Sequence, residues 1–240
     1  MGVPALALLT GVSLLGAPTP ASGQEEGSVG LTPFQVTRVE RFLEDRAACL
    51  GCHQIGGTGG FIGPTLDGLA DRAEHDYVLR MIQDPAGTLP GTLMPRQPMP
   101  ARDAERLATY LLTKARPEAG TAPVTAPEAP PVVAPSDRLN GAALYARHCA
   151  ACHGSEGRGD GWNAPNLPAA PTAHADAERM TKRPDDTLYD GISAGGFVLD
   201  KSARMPAFGQ MLDPEQIRAL VAHIRVLCDC EQPEWARGGR

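Results

Sequence analysis

The first half of the chain contains three segments in which apolar side chains recur at helical spacing. In the segment before residue 49, for example, Val39 and Leu43 lie on one face. The middle segment ends at Asp84-Pro85, because a proline cannot continue a helix. The pattern therefore predicts three amphipathic helices, which cover 36–48, 76–83 and 101–114.

The second half repeats this order of segments. Helices are predicted over 140–151, 185–192 and 213–226. The last of them has a clear start signal, since Asp213 is a good N-cap and Pro214 fits the first helical position. No segment alternates convincingly between apolar and polar residues, as a strand would. We therefore expect an all-α protein made of two domains in tandem.

A proline-rich segment, 116–136, separates the two halves. It holds six prolines among Ala, Thr, Val and Glu, a composition that favours extended polyproline II. We expect a semi-rigid linker between a first domain over 24–115 and a second over 137–240. A linker of this kind predicts two independent units that could dock separately on their partners.

The first 23 residues predict an export signal. Val3 to Ala17 is apolar, and Ala21, Ser22 and Gly23 offer small residues at a cleavage site. The apolar stretch is shorter than the roughly 20 residues that span a bilayer. No Lys or Arg precedes Arg38, so the positive region of a signal is missing. A buried N-terminal helix and an uncleaved membrane anchor therefore remain as alternatives.

The pentapeptide Cys-x-x-Cys-His occurs twice, at Cys49–His53 and Cys149–His153. Cysteines three apart lie on one face of a helical turn, so both can attach to one flat macrocycle, and the adjacent histidine can ligate its iron. This is the attachment signature of c-type haem. A structural zinc site would place its two Cys-x-x-Cys pairs within roughly 15 to 20 residues, and a thioredoxin-like dithiol belongs in a βαβ pattern. We therefore predict two covalently attached haems c, held by Cys49, Cys52, Cys149 and Cys152.

Each half resembles the class I cytochrome c family, and the whole chain resembles a dihaem cytochrome c. In the second half Gly141 and Tyr145 precede the motif, as in the first helix of that family, and a glycine-rich loop follows it (Gly157, Gly159, Gly161). The first half departs from this pattern, since Phe42 lies one turn earlier and no glycine precedes it. The resemblance covers about 35–115 and 138–228, and it implies that the first helix of each half crosses the last.

The resemblance also implies the ligands of the two irons. Each iron takes one histidine, His53 or His153, and one methionine that precedes a proline. In the second half this methionine is Met205. The first half has two candidates, Met94 and Met99, and the distance to the last helix favours Met94.

Several further residues are assigned on the same basis. Met99 falls where the family has an apolar residue that opens the last helix, and Met180 and Met211 are expected to pack or to lie on the surface. His75 and His174 could in principle ligate, but an exposed or capping role is favoured for both, because each half already has a Met-Pro pair. In the family a proline carbonyl accepts the second ring N–H of the ligating histidine. Pro64 and Pro165 match that position, 11 and 12 residues past the respective histidines.

Two cysteines remain after the last helix, Cys228 and Cys230. In an exported protein such a pair most often forms a disulfide. A contact with another subunit, a redox switch and a metal site with His223 stay open as alternatives.

The net charge of −6 and the lack of a dense Lys/Arg cluster argue against nucleic acid as the main partner. We expect an electron carrier outside the cytoplasm, in the periplasm or another extracytoplasmic location, without a catalytic residue. Its donor would be a quinol-oxidising complex or a dehydrogenase, and its acceptor an oxidase or reductase. The alternatives are a resident subunit of a larger respiratory complex, peripheral to the membrane, and a dihaem peroxidase with one open iron position.

Overall fold

The structure is a computed structural model that describes residues 1–2, 30–114 and 138–238. The predicted export signal, apart from Met1 and Gly2, and the predicted linker 116–136 lie outside these described residues. The chain divides into Met1–Gly30 and Leu31–Arg240, and both halves that carry a haem motif belong to the second unit.

The first half is helical, with one very short hairpin after the haem motif. Its helices are α1 (Pro33–Asp45), α2 (Cys49–Cys52), α3 (His75–Gln83), α4 (Pro85–Thr88) and α5 (Ala101–Lys114), with a 3₁₀ turn at Leu69–Asp71. The antiparallel hairpin pairs β1 (Gln54–Ile55) with β2 (Thr58–Gly59). This hairpin was not predicted, because it spans too few residues to show alternation. Gly56 and Gly57 form its turn at φ 58° and 77°, a region that glycine adopts without strain.

The second half contains α6 (Gly141–His148), α7 (Ala150–His153), α8 (Ala177–Met180), α9 (Asp185–Ala194) and α10 (Pro214–Cys228). Single 3₁₀ turns lie at Ala164–Asn166, Gly196–Leu199 and Glu234–Ala236. The predicted helix 140–151 is interrupted at Cys149, which ends α6 and caps α7. The prediction of an all-α protein with two tandem domains is confirmed.

Side-chain caps fix where the principal helices begin. The Asp213 carboxylate accepts hydrogen bonds from the backbone N–H groups of Glu215 and Gln216. In turn, the Gln216 side-chain oxygen accepts a hydrogen bond from the backbone N–H of Asp213. This reciprocal capping box satisfies N–H groups that have no partner inside the helix. Thr32 and Gln35 form the same arrangement at the start of α1.

Each half has its own apolar core. The first core joins α1, α3 and α5, and its buried members are Val39, Leu43, Ala47, Val78, Ile82, Ala104, Leu107, Ala108, Tyr110 and Leu111. The second joins α6, α9 and α10, and its buried members are Leu144, Tyr145, Met180, Leu188, Ile192, Phe208, Leu212, Ile217, Leu220, Val221, Ile224 and Cys228. Both cores therefore pack the first helix of a half against the last.

The crossing of α6 and α10 depends on a glycine. A Cβ atom at Gly141 would collide with the backbone carbonyl of Ala219 and would lie 2.9 Å from Cβ of His223. One turn later, the ring of Tyr145 packs against the ring of His223 at a centroid distance of 5.2 Å. The helix crossing that the resemblance implies is therefore present in the second half.

The two halves are in direct contact, which the composition of the linker did not predict. The Arg204 guanidinium of the second half donates to the Leu43 carbonyl of the first over 2.7 Å, and Arg147 donates to the Gly91 carbonyl over 3.0 Å. The expectation of two independent units is therefore wrong. The composition of a linker limits the distance that it can span. It carries no information about whether the surfaces of the two domains that it joins bind each other.

Among the described residues, no helix combines the length and the apolar character that a membrane span requires.

Candidate haem-binding site

The first haem motif forms a single helical turn, α2, between α1 and the hairpin. Cys49 and Cys52 lie at its two ends, and the backbone N–H of His53 closes the turn by donating to the Cys49 carbonyl over 2.8 Å. Burial raises the pKa of the Cys49 thiol to about 11 and that of Cys52 to about 12. Both thiols are therefore neutral near pH 7 in the protein chain, and they are presented one helical turn apart, as attachment of one macrocycle requires.

His53 is half-buried, and its ring orientation is fixed by the loop that follows. Its Nδ1 lies 2.7 Å from the carbonyl oxygen of Pro64, the contact predicted for that proline. Since a carbonyl can only accept, Nδ1 carries the proton and Nε2 keeps a lone pair for a metal. Burial lowers the pKa of His53, which favours the neutral, ligating form. Gly63 permits this approach, because a Cβ there would overlap the imidazole ring.

The second motif repeats this arrangement with a different acceptor. The Nδ1 atom of His153 lies 2.9 Å from the carbonyl oxygen of Thr172, not from that of Pro165. The assignment of Pro165 is therefore wrong. Pro165 lies inside the 3₁₀ turn Ala164–Asn166, and the chain reaches the imidazole only after the next proline-rich stretch. The sequence did contain a sign of this difference. The residue before Pro64 is Gly63, which leaves room for the His53 ring, whereas the residue before Pro165 is Ala164.

His174 is buried, against the expectation of an exposed or capping residue. Its ring stacks on that of His153 with centroids 4.2 Å apart, and its Nδ1 lies 3.0 Å from the Tyr145 hydroxyl. Burial, and to a smaller extent the neighbouring His153, lowers the pKa of His174 to about 2, so the ring is neutral. His75 fits its expectation better, since it is partly exposed at the start of α3, near Glu105.

The candidate methionines differ in what they contact. Met205 packs against the second core and lines the same cavity as His153. Met211 packs on that core, and Met180 is fully buried within it. In the first half Met99 packs against the core, as predicted for a residue at the start of the last helix. Met94 is half-buried between Leu93 and Pro95, which both line the cavity.

A cavity of about 620 Å³ adjoins the second motif and extends to the first. Cys149, Cys152 and His153 line it together with Cys52 of the first half. Apolar walls come from Ile62, Leu93, Phe208 and Ile224, and cationic side chains come from Arg147, Arg158, Lys201 and Arg204.

These residues fit a haem, since the macrocycle is apolar and its two carboxylates need cationic or hydrogen-bonding partners. The wall also contains Nδ1 of His148, a buried polar atom that has no hydrogen-bond partner among the described residues. Such an atom is expected in a site built to receive a further group.

Cys228 and Cys230 form a disulfide at the end of α10, the first of the arrangements weighed from the sequence. The Arg225 guanidinium lies beside it, 3.7 Å from the Cys230 sulfur, and also pairs with Asp185 over 2.8 Å. The described residues contain no group of three or more His, Cys, Asp or Glu side chains that could hold a metal ion, so a site with His223 is not supported.

Comparisons with known proteins match both halves. The family model "Cytochrome c" matches residues 36–115, and the model "Cytochrome C oxidase, cbb3-type, subunit III" matches residues 136–224. Together they cover both predicted haem motifs.

Two solved structures are similar to the chain. The KustC0563 c-type cytochrome is 31% identical, and the match covers 37% of this chain and 96% of that one, with a TM-score of 0.31. A chain of the reducing HAO-like protein complex of Kuenenia stuttgartiensis is 19% identical, with 74% of this chain and 79% of that one covered and a TM-score of 0.31. No curated protein shows significant similarity to the chain.

Proposed function

Because the chain is a dihaem c-type cytochrome with two tandem class I cytochrome c domains and two covalent haems c, we propose that it is an electron carrier with one histidine and one methionine on each iron. The ligand pairs are His53 with Met94 and His153 with Met205. The observation that carries the proposal is the repeated geometry of the motif. Each histidine is half-buried and donates Nδ1–H to a backbone carbonyl, which leaves Nε2 for the iron.

Bound haem supplies an iron that changes between Fe(III) and Fe(II) by one electron. The protein's part is to hold the ligands still and to exclude water. The carbonyls of Pro64 and Thr172 fix the two imidazoles, and the cores keep the motif helices in place. A methionine thioether favours ferrous iron and raises the reduction potential. No acid, base or nucleophile of the protein is required.

The proposed partners are redox proteins. A quinol-oxidising complex or a dehydrogenase would donate single electrons, and an oxidase or reductase would accept them. A location outside the cytoplasm is part of the proposal and is supported by the apolar N-terminal segment of the sequence. Its check is fractionation of the source cells, in which haem-bearing chain found only in the cytoplasm would contradict it.

The ligand assignment is tested on the exported protein with haem quantified per chain. We expect two low-spin haems and a sulfur-to-iron charge-transfer band in the oxidised state. Met94→Ala and Met205→Ala should each remove about half of that band, because each would delete one of two thioether bonds. The matched controls Met99→Ala and Met211→Ala remove methionines that pack on the cores, so the band should persist. A high-spin haem in the unmodified chain, or a band that depends on Met99, would contradict the assignment.

A resident subunit of a respiratory complex is a second candidate. It is favoured by the match of residues 136–224 to the family model of an oxidase subunit. Trp235, which is 77% exposed near the C-terminus, is a suitable contact for a neighbouring subunit. Recovery of the chain in a membrane complex after mild detergent extraction would favour this candidate. Recovery as a free protein would favour the shuttle.

A further inference from the structure

The side chain of Asn163 links the two haem motifs. Its Nδ2 donates to the carbonyl of Gly51, inside the first motif, over 2.9 Å and lies 3.4 Å from the sulfur of Cys152 in the second. Its Oδ1 accepts the backbone N–H of Phe61 over 2.9 Å. The backbone N–H of Asn163 itself donates to Ala151, also in the second motif, over 2.9 Å. One residue of the second half therefore contacts the backbone of both attachment sites.

Burial makes these contacts specific. Asn163 is 0% exposed, and a buried amide costs free energy unless its donors and acceptor are paired. The Asn163 side-chain amide pairs with two backbone groups, those of Gly51 and Phe61, and both belong to the first half. An asparagine that served only the 3₁₀ turn at 164–166 would not need them. The pairing is complete only when the two halves are in contact.

Small residues allow the motifs to approach this closely. A Cβ at Gly51 would overlap the backbone carbonyl of Arg204, and a Cβ at Gly60 would overlap the Gly51 carbonyl and lie 2.8 Å from the Asn163 amide. The attachment cysteines Cys52 and Cys152 also line one and the same cavity. The interface is therefore formed at the haem motifs themselves.

We propose that Asn163 is a positioning residue that fixes the two haem motifs against each other, so that the chain holds its two redox sites as one rigid, electrostatically coupled pair. This rests on the proposed electron-carrier function. Each site gains or loses one electron, Fe(III) to Fe(II) or the reverse, without making or breaking a bond. Since the charge at one site acts on the other across a fixed contact at the buried Asn163, reducing one site makes the second reduction less favourable. Two freely moving domains would lack this fixed coupling.

The test compares Asn163→Leu with the unmodified holoprotein. Leucine has a similar size but cannot pair with Gly51 or Phe61, and Asn166→Leu in the same turn is the matched control. Pulsed EPR on the fully oxidised protein gives the distribution of distances between the two irons. We expect a single narrow distribution in the unmodified chain and in Asn166→Leu, and a broadened one in Asn163→Leu. A redox titration of Asn163→Leu should show a smaller separation between the two reduction potentials than the same titration of the unmodified chain or of Asn166→Leu.

Thermal unfolding provides a readout that does not depend on electron transfer. A coupled pair should unfold in one transition, and Asn163→Leu should split it into two. If Asn163→Leu does not fold, Gly60→Ala serves the same purpose, because its Cβ would overlap the Gly51 carbonyl that the Asn163 amide binds and would lie 2.8 Å from that amide.

An unchanged distance distribution and a single transition in the folded variant would overturn the proposal. Two low-spin haems in that same sample would leave the electron-carrier function intact. High-spin haem in the unmodified chain would instead contradict the function itself.

Discussion

The histidines of the two haem motifs are oriented by different carbonyls, and one neighbouring residue shows why. His53 donates to Pro64, and the preceding Gly63 has no room for a side chain because the imidazole fills that space. His153 donates to Thr172, and the equivalent position before Pro165 is Ala164. In this chain, glycine before the proline therefore accompanies a histidine ring that lies against the proline loop, and alanine accompanies a ring that does not.

Gly63→Ala is therefore expected to disturb the first haem. The new Cβ would overlap the His53 ring, so either the ring or the loop must move, and the hydrogen bond to Pro64 is weakened. A weaker hydrogen bond makes the imidazole a less basic ligand, which stabilises ferric iron less. We therefore expect a raised reduction potential or loss of the first haem, measured by redox titration and by haem content per chain.

Ala164→Gly is the control for this prediction, since it makes the reciprocal change in the second half, where Thr172 orients the histidine. The second haem should keep its content and potential. If Gly63→Ala had no effect, or if both variants had the same effect, the assigned role of Gly63 would be wrong.

At the scale of elements, the sequence predicted the long helices well and the turns around the haem less well. The helices α5 and α10 have strong periodicity, and α10 also has a clear start signal, so their positions follow from local physics. Thr172 could not be assigned in this way, because which carbonyl reaches an imidazole depends on the path of a loop 19 residues away in sequence. The burial of His174 was missed for the same reason, since its partners Tyr145 and His153 come from other elements.

Gly141→Ala tests the crossing of α6 and α10. Alanine is favoured over glycine within helices by about 1 kcal/mol, which alone would stabilise the variant. The added Cβ would collide with the Ala219 carbonyl, however, and overpacking of this kind costs about 1–3 kcal/mol. We expect packing to win, so chemical denaturation of the holoprotein should show lowered stability. The neighbouring Ala142 is exposed, and Ala142→Gly gives the effect of propensity alone. A stabilised Gly141→Ala variant would show that the helices can separate without loss.

At the scale of the whole molecule, the relation of the two halves was the least predictable feature. Each half could be assigned to a domain from its own motif, but the contact between them rests on single residues far apart in sequence. Arg204 reaches Leu43, and Asn163 reaches Gly51 and Phe61. No periodicity marks such residues, because their partners exist only after both halves have folded. The proline-rich linker predicted two independent domains, but the surfaces of the two halves form direct contacts.

Removing the first haem should therefore affect the second half. The cavity beside the second motif is lined in part by Cys52, Ile62 and Leu93, so its wall depends on the order of the first half. In a Cys49→Ala/Cys52→Ala chain that keeps the second haem, we expect faster amide hydrogen exchange in α7 and around Asn163 as well as in the first half.

The matched control for haem removal is Cys228→Ser/Cys230→Ser, which also removes two cysteines but leaves both haem motifs intact. The disulfide that this variant loses lies beside Arg225, which pairs with Asp185, so faster exchange should be confined to the end of α10 and the start of α9. The two double variants thus separate loss of a haem from loss of any cysteine pair. Exchange that rises only in the first half when its haem is absent would mean that the halves share a surface without sharing stability. The second site would then be complete by itself.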